Sequence, residues 1–320
     1  MAGIDNYWSN GGSLSNTGFE LTLTAKPVVR KSLQLEVGAS VGHYSNKVKS
    51  LPNNSLVWLD GQLTAQGFTS SIYGTDNVAT IVGQPLGMFY GYRTKGVFSN
   101  DAEARVGTAT ADNPEGYLYL VDATGASQYF RAGDIWFDDL NNDGIISEAD
   151  KTIIGNPNPD VYGNIFANVN WKNITLYLGF NYSLGNDVFN YQRSILEGGR
   201  NFYNQTTNMT NRWRAEGQQT DVPRISYDDP MGNSRFSDRW IEDGSYLRLK
   251  TLRLSYNAPV TLSWLQGLTV WAEAGNLFTL THYLGSDPEF SASNAVLYQG
   301  IDAGNVAMGR TFTFGMRINL

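Results

Sequence analysis

The chain has no cysteine in its 320 residues, which excludes disulfide scaffolds, thiolate metal sites and cysteine nucleophiles. Histidine occurs only twice, at His43 and His282, too few and too far apart to suggest a metal site or a catalytic triad. Basic residues are outnumbered: 23 Lys and Arg stand against 30 Asp and Glu, a net charge of -7. That balance excludes nucleic acid as a partner, because binding it needs a basic face to neutralise phosphates. No apolar run approaches the roughly 18 residues of a membrane helix, and the mean hydropathy is -0.31. The opening Met1-Ala2-Gly3-Ile4-Asp5-Asn6 has neither a basic start nor an apolar stretch, so it is no secretory signal. An exported protein with this chain in it would carry its address elsewhere, a first hint of a fragment.

What is present is substantial: 41% of residues are hydrophobic and 13% aromatic, with 34 glycines. This is enough to build a core or a membrane surface, and too apolar for disorder. The clearest signal is period-two alternation. Phe312, Phe314, Met316, Ile318 and Leu320 fall on one face, opposite Thr311, Thr313, Gly315, Arg317 and Asn319. Ile174, Leu176, Leu178, Phe180 and Tyr182 oppose Thr175, Tyr177, Gly179, Asn181 and Ser183. Upstream, Ile165, Ala167, Val169 and Trp171 oppose Asn164, Asn168 and Asn170, and Trp171-Lys172-Asn173 forms a tight hairpin link. The same pattern runs through Phe19, Leu21, Leu23 and Ala25, then after Pro27 to Lys31 through Leu33, Leu35, Val37, Ala39 and Val41. Leu252, Leu254 and Tyr256 pair with Leu268, Val270, Ala272 and Ala274 across a link holding Asn257 and Pro259.

Alternation suits a soluble sandwich, whose apolar faces meet in a core, and equally an outer-membrane barrel, whose apolar face meets lipid. Connection lengths decide between them. Short links around Pro27–Lys31, Lys172 and Asn257–Gly267 alternate with long ones from Ser45 to Asp160, Gly185 to Gly244 and Thr281 to Gly309. Short turns at one end and long loops at the other are the mark of an outer-membrane barrel, with the long loops outside the cell. Within the long links, Pro85 to Tyr92 reads as an extended aromatic segment and Tyr117 to Val121 as a short strand. Asn204 to Glu216 is expected to hold a short helix, with Asn208 capping Met209 to Ala215. About seven membrane strands is an odd number, whereas a complete barrel has an even one, so strands are expected to be missing upstream. An extra strand over Ile4 to Trp8 would change that count, but the segment is short and flanked by glycine.

Several blocks, in order along the chain, resemble the C-terminal third of SusC/RagA proteins. They are Asn16-Thr17-Gly18-Phe19-Glu20-Leu21; Gly83-Gln84-Pro85-Leu86-Gly87-Met88-Phe89-Tyr90-Gly91-Tyr92; Gly133-Asp134-Ile135; Asp139-Leu140-Asn141-Asn142-Asp143-Gly144; and Ile154-Gly155-Asn156-Pro157-Asn158-Pro159-Asp160. After them come Trp240-Ile241-Glu242-Asp243-Gly244-Ser245-Tyr246-Leu247-Arg248-Leu249-Lys250, Gly275-Asn276-Leu277-Phe278 and Arg310-Thr311-Phe312-Thr313-Phe314-Gly315. The resemblance implies an all-β fold: a partial antiparallel transmembrane β-barrel, the C-terminal strands of a 22-stranded plugged outer-membrane transporter. It implies TonB-dependent import of oligosaccharides or peptides beneath a SusD-like surface lipoprotein. The N-terminal plug and the segment that contacts the TonB complex are expected upstream of residues 1–320, and this chain alone is expected to be a non-functional fragment. Leu320 departs from the aromatic residue on which the family usually ends.

One motif carries its own chemistry. In the loop of residues 134–160, Asp139, Asn141, Asp143, the Ile145 carbonyl, Ser147 and Asp150 stand at positions 1, 3, 5, 7, 9 and 12 of an EF-hand-like calcium loop, with Gly144 at position 6. A hard cation takes oxygens from alternate residues of a tight loop, and the glycine permits the sharp turn. The alternative is an Asx-rich turn that satisfies its own backbone. Asp134, Asp138, Glu242 and Asp243 are the acids available for glycoside hydrolysis, but nothing in their spacing pairs them, and no enzyme is expected. Trp58, Tyr73, Trp136, Tyr191, Phe202, Tyr203, Trp213 and Tyr227 lie in the long links, placed either to meet a sugar ring or the lipoprotein or to pin the links to each other. The rival function is a secreted calcium-dependent carbohydrate-binding β-protein. It requires Phe180, Leu254 and Phe314 to be buried between two sheets.

Overall fold

A computed structural model describes residues 11–52, 55–107, 109–111, 113–260, 264–289, 291–293 and 295–319. The segment Ile4 to Trp8 and Leu320 lie outside the described residues. Seven long strands form one antiparallel sheet in chain order: β1 (Ser13–Arg30), β2 (Leu33–Ser50), β3 (Val161–Trp171), β4 (Ile174–Leu184), β5 (Tyr246–Ala258), β6 (Gly267–Thr281) and β7 (Thr311–Asn319). Among the described residues no helix is long and apolar enough to cross a membrane.

The register gathers every alternating apolar set onto one face. A single row runs Val28, Leu35, Val169, Leu176, Leu254, Ala272 and Phe314, and the next runs Ala25, Val37, Ala167, Leu178, Leu252, Ala274 and Phe312. A slip of one residue in any strand would turn its apolar set to the other face. Among the described residues no second sheet covers this face. Leu254 is 52% exposed and Phe314 78%, with Leu23, Ile165 and Met316 also exposed, while Phe180 is half-buried against Phe278 of the same sheet, so the sandwich's requirement of burial between two sheets fails. In water each such side chain would forgo about 1.5–3 kcal/mol of burial, and a patch of this extent demands an apolar surrounding. The 11 residues of β3 and of β4 match what a tilted strand needs to cross a bilayer, about 9–11.

The opposite face is polar, and aromatic rings on it close over glycines. Tyr162 stands opposite Gly42, Phe166 opposite Gly38 and Trp271 opposite Gly315. A Cβ on Gly42 would fall 2.7 Å from the Tyr162 ring, so the missing side chain is what lets the ring lie flat against the wall.

The three short turns are aligned at one end of the sheet. Lys172 N donates to Ser32 O at 2.9 Å, and Asn257 N to Asn173 O at 2.8 Å, which ties each turn to its neighbour. The three long links, residues 51–160, 185–245 and 282–310, therefore emerge together at the other end, and they hold almost all of the core. Among the buried apolar residues only Val48, Leu249 and Ala274 belong to the seven strands. One cluster joins all three links through Phe89, Phe189, Trp240 and Ile301. A second, around Phe98, Phe130, Ile135 and Phe137, lies within the first link and takes Met231 from the second.

Two expectations need correction. Pro27 is part of β1, which runs on to Arg30 and turns on Lys31 and Ser32 alone. The register shifts between Ala25 and Val28, and a bulge on an edge strand is where a residue without N–H is tolerated. The helix expected over Asn204 to Glu216 is only a 3-10 turn, Thr207–Asn211, which no side chain caps. Asn208 Nδ2 donates instead to Glu197 Oε2 at 3.1 Å, and Trp213 N is drawn out to Val222 O at 2.9 Å. The helix that does form in this link is Tyr191–Leu196, capped by Asn190 Oδ1. The segment Pro85 to Tyr92 behaves as expected: Met88–Tyr92 is a fully buried strand in a five-stranded sheet.

Among the described residues β1 and β7 each have a strand on one side only, and in lipid an unpaired ladder is costly. Residues 1–320 refolded alone in detergent should therefore aggregate or be digested by protease. A monodisperse, protease-resistant monomer with heat-modifiable gel mobility would contradict this.

Candidate functional site

The register that turns the apolar rows outward turns a second set inward. Glu20, Thr22, Ser40, Asn164, Asn181 and Ser183 line a cavity of about 530 Å³ on the inner wall, flanked by Tyr162 and Tyr246. Tyr162 Oη donates to Glu20 Oε1 at 3.3 Å. Nearer the short turns, Thr175, Tyr177, Ser255 and Arg317 surround Arg253, whose guanidinium lies 4.4 Å from the centre of the Trp271 ring and 3.7 Å from Glu273. The wall is hydroxyl- and amide-rich, suited to a hydrated solute. None of these residues stood out singly in the sequence, where they were simply the polar half of the alternation.

The acidic loop adopts the tight form its spacing predicts. Asn142 and Gly144 have positive φ, 58° and 81°. Asp139 accepts from Asp143 N at 3.2 Å and Gly144 N at 2.7 Å, Asn141 from Asp143 N at 3.1 Å, and Asp143 from Ile145 N at 2.8 Å. Asp150, fully buried, accepts from Leu140 N and Ser147 N, and Ser147 Oγ from Ala149 N. Among the described residues no three acids or histidines converge closely enough to hold a metal by themselves. The side-chain oxygens face backbone N–H groups, as an Asx turn requires, and each carboxylate oxygen keeps a second lone pair. Burial pushes the Asp150 carboxyl up to about 6; bonds from Ser147 N and Leu140 N oppose this, while the charges of Asp139 and Asp143 add to it. The loop is fixed in place by the backbone bridge of Ile145 to Tyr119 and by the turn at Asp60 and Gly61, where a Cβ on Gly61 would meet Leu140 O at 2.8 Å.

The eight link aromatics divide. Tyr73 stacks on Tyr191 at 4.4 Å, joining the first two links. Trp136 stacks on Phe98 at 5.1 Å, and Trp213 Nε1 donates to Ser99 O at 3.2 Å. Trp58 is half-buried, and its carbonyl accepts from Tyr90 Oη at 2.8 Å. Tyr73, Tyr191 and Trp213 thus bridge the first two links, Trp136 packs within the first, and Trp58 is engaged through its backbone. Phe202, 91% exposed, and Tyr227, 69% exposed, stack on each other at 5.1 Å, and Tyr203 is exposed in the same link. The acids considered for hydrolysis are dispersed: Asp134 is held by Arg224 at 2.7 Å, Asp138 by Lys95 at 2.6 Å and Glu242 by Arg193 at 2.6 Å, while Asp243 accepts from Ser245 N. His43 Nδ1 lies 2.7 Å from Asp160 O, a link-to-wall contact.

No family model matches the chain. It is similar to TonB-dependent receptor P3 of Formosa agariphila, with 30% identity over 99% of this chain and 30% of that protein. It is also similar to TonB-dependent receptor P26 of the same organism, at 27% identity over 99% of this chain and 30% of that one. Against TonB-dependent receptor SusC of Bacteroides thetaiotaomicron the identity is 23%, over 97% of this chain and 27% of that protein. Among solved structures, the RagAB peptide transporter matches with a TM-score of 0.70 and 21% identity, over 99% of this chain and 30% of that one. The chain thus spans about 30% of the length of the relatives it matches. On these likenesses the chain resembles part of a TonB-dependent receptor, and its antiparallel sheet shares the β-barrel fold of the RagAB transporter.

Proposed function

We propose that the whole protein imports oligosaccharides or peptides across the outer membrane in a TonB-dependent manner, and that this chain supplies part of the barrel wall and its outer mouth. The observation that carries the reading is the seven-stranded sheet whose apolar face is bare and whose polar face holds a cavity lined by hydroxyls and amides, with all long links at one end. Energy coupling runs through the TonB complex, by way of a part of the protein outside this chain. Substrate capture is shared with a SusD-like surface lipoprotein over the long links. Deleting the full-length gene should abolish growth on one candidate glycan or peptide, and loss of TonB should do the same. Unimpaired growth on every such nutrient in both strains would refute import.

Phe202, Tyr203 and Tyr227 are the surface we assign to lipoprotein or substrate. An exposed stacked pair is a preformed contact, and truncating such an anchor typically costs about 1–2 kcal/mol, roughly fivefold to thirtyfold in affinity each. Replacing Phe202 and Tyr227 together by Ala should therefore lower co-purification of the lipoprotein or binding of the substrate severalfold. If both are unchanged, these rings serve neither.

The acidic loop is proposed to bind calcium through Asp139, Asn141, Asp143, the Ile145 carbonyl, Ser147 and Asp150, in a structural role. The oxygen-only donor set suits a hard cation, and Asp150 is a buried carboxyl lacking a counter-charge. Without a cation, stability falls as the pH rises from the ordinary value of 3.8 to about 6, because over that window the unfolded chain gives up the Asp150 proton while the folded chain keeps it. Calcium should remove that cost, and protons should compete with it. Calcium added to the intact protein should then raise its unfolding temperature at about pH 7.5 but hardly at about pH 5, and Asp139→Ala or Asp143→Ala should abolish the effect. An equal response in the native and substituted proteins would favour the Asx turn.

A further inference from the structure

Two bulges face each other where β5 and β6 leave the wall. The register shifts between Leu249 and Thr251, leaving Lys250 unpaired on β5 and Asn276 and Leu277 unpaired on β6. Both strands reach from there to the third link. Lys250 Nζ lies 3.7 Å from Glu289 Oε2 and 3.5 Å from Met308 Sδ, and Asn276 Nδ2 donates to Gly309 O at 3.2 Å.

Arg248 sits on the inner face, opposite Asn181, and is 2% exposed. It is paired with Asp287, itself 4% exposed, and its Nη1 lies 3.2 Å from Glu289 Oε2. Asp287 also accepts from Glu289 N at 2.9 Å and Met308 N at 3.1 Å. One guanidinium on the wall thus gathers both legs of the third link. The far end of the link is held separately: Ile301–Asp302 pairs in parallel with Phe189 and Asn190 of the second link, and Tyr283 Oη donates to Asp302 Oδ2 at 2.5 Å.

Between these anchors the link passes over the wall. A cavity of about 490 Å³ has Pro288, Glu289, Val296 and Gln299 on the link side and Ser183 and Tyr246 on the wall side. Ser183 and Tyr246 also line the 530 Å³ cavity of the inner wall. The third link therefore roofs the route from the link layer to that cavity. A buried ion pair favours two discrete arrangements, paired and dry or separated and hydrated, because a half-broken pair strands a charge away from water.

We propose that the described residues of the third link, 283–289, 291–293 and 295–310, are a gating strap, latched to the wall by Arg248 through Asp287 and Glu289, which controls passage of solute from the link layer to the inner-wall cavity. The direction of traffic rests on the import reading; the latch does not, so its test measures access rather than uptake.

In the intact receptor, with any other cysteine replaced, Ser183→Cys would report access to both cavities. Its labelling by a bulky polyethylene-glycol maleimide applied from the side of the long links should rise about tenfold in Arg248→Met and in Asp287→Asn, since either substitution strands the remaining charge. Labelling by a small maleimide should change less than about twofold, because water-sized routes to the wall are already open. Should the single variants lose heat-modifiable mobility, the exchange Arg248→Asp with Asp287→Arg restores opposite charges and should return bulky labelling to the parental rate. Unchanged bulky labelling in an assembled single variant, or labelling in the exchanged pair as fast as in Arg248→Asp alone, would overturn the gate. Absence of import by the parental receptor, with the labelling response intact, would count against the import reading and leave the latch standing.

Discussion

A backbone N–H or C=O left unpaired in hydrocarbon costs several kcal/mol, and this constraint organises the molecule. It requires each strand in lipid to be paired on both sides, which the continuous ladders between β1 and β7 achieve for every inner strand. It also requires irregular backbone to leave the membrane. The short turns do so with two residues in the first two hairpins. The long links do so at the other end by folding into a layer of their own.

The result inverts the plan of a soluble protein. The regular sheet bares its apolar rows, and the irregular links bury their aromatics. Solvent explains both. Side chains such as Leu254 and Phe314 lose nothing in lipid, whereas Phe89, Trp240 and Ile301 stand in water unless they pack on each other. Ion pairs then fix where the layer meets the wall, because Arg248 and Asp287 are each buried and neither is tolerable alone.

The seven strands were legible because an interface between lipid and water imposes a strict period of two, and Leu176 or Phe314 cannot shift by one residue without changing solvent. The acidic loop was legible because its spacing is local, and Gly144 takes the positive φ its position demands. The link layer was not. Phe89, Phe189 and Ile301 meet from three links a hundred residues or more apart, with no period to betray them. Asn208 suggested a helix cap but is engaged by Glu197, a partner from outside its own turn. Arg248 looked like any inward polar residue, because what sets it apart is its burial beneath a segment about 40 residues later in the chain. Local pattern is readable where one solvent boundary governs every residue of an element, and unreadable where tertiary contacts choose among equivalents.

The two faces of the sheet meet different solvents, and because these 320 residues hold no cysteine the difference is directly measurable once any cysteine elsewhere in the receptor is replaced. Single cysteines at Asn164, Ile165, Leu254, Ser255, Thr313 and Phe314 of the intact receptor in lipid bilayers, each spin-labelled, would report access to oxygen and to a water-soluble nickel chelate. Labels at Ile165, Leu254 and Phe314 should favour oxygen, and those at Asn164, Ser255 and Thr313 the chelate, alternating along each strand. Equal access at neighbouring positions, or chelate access at Leu254 and Phe314, would contradict a lipid-facing sheet.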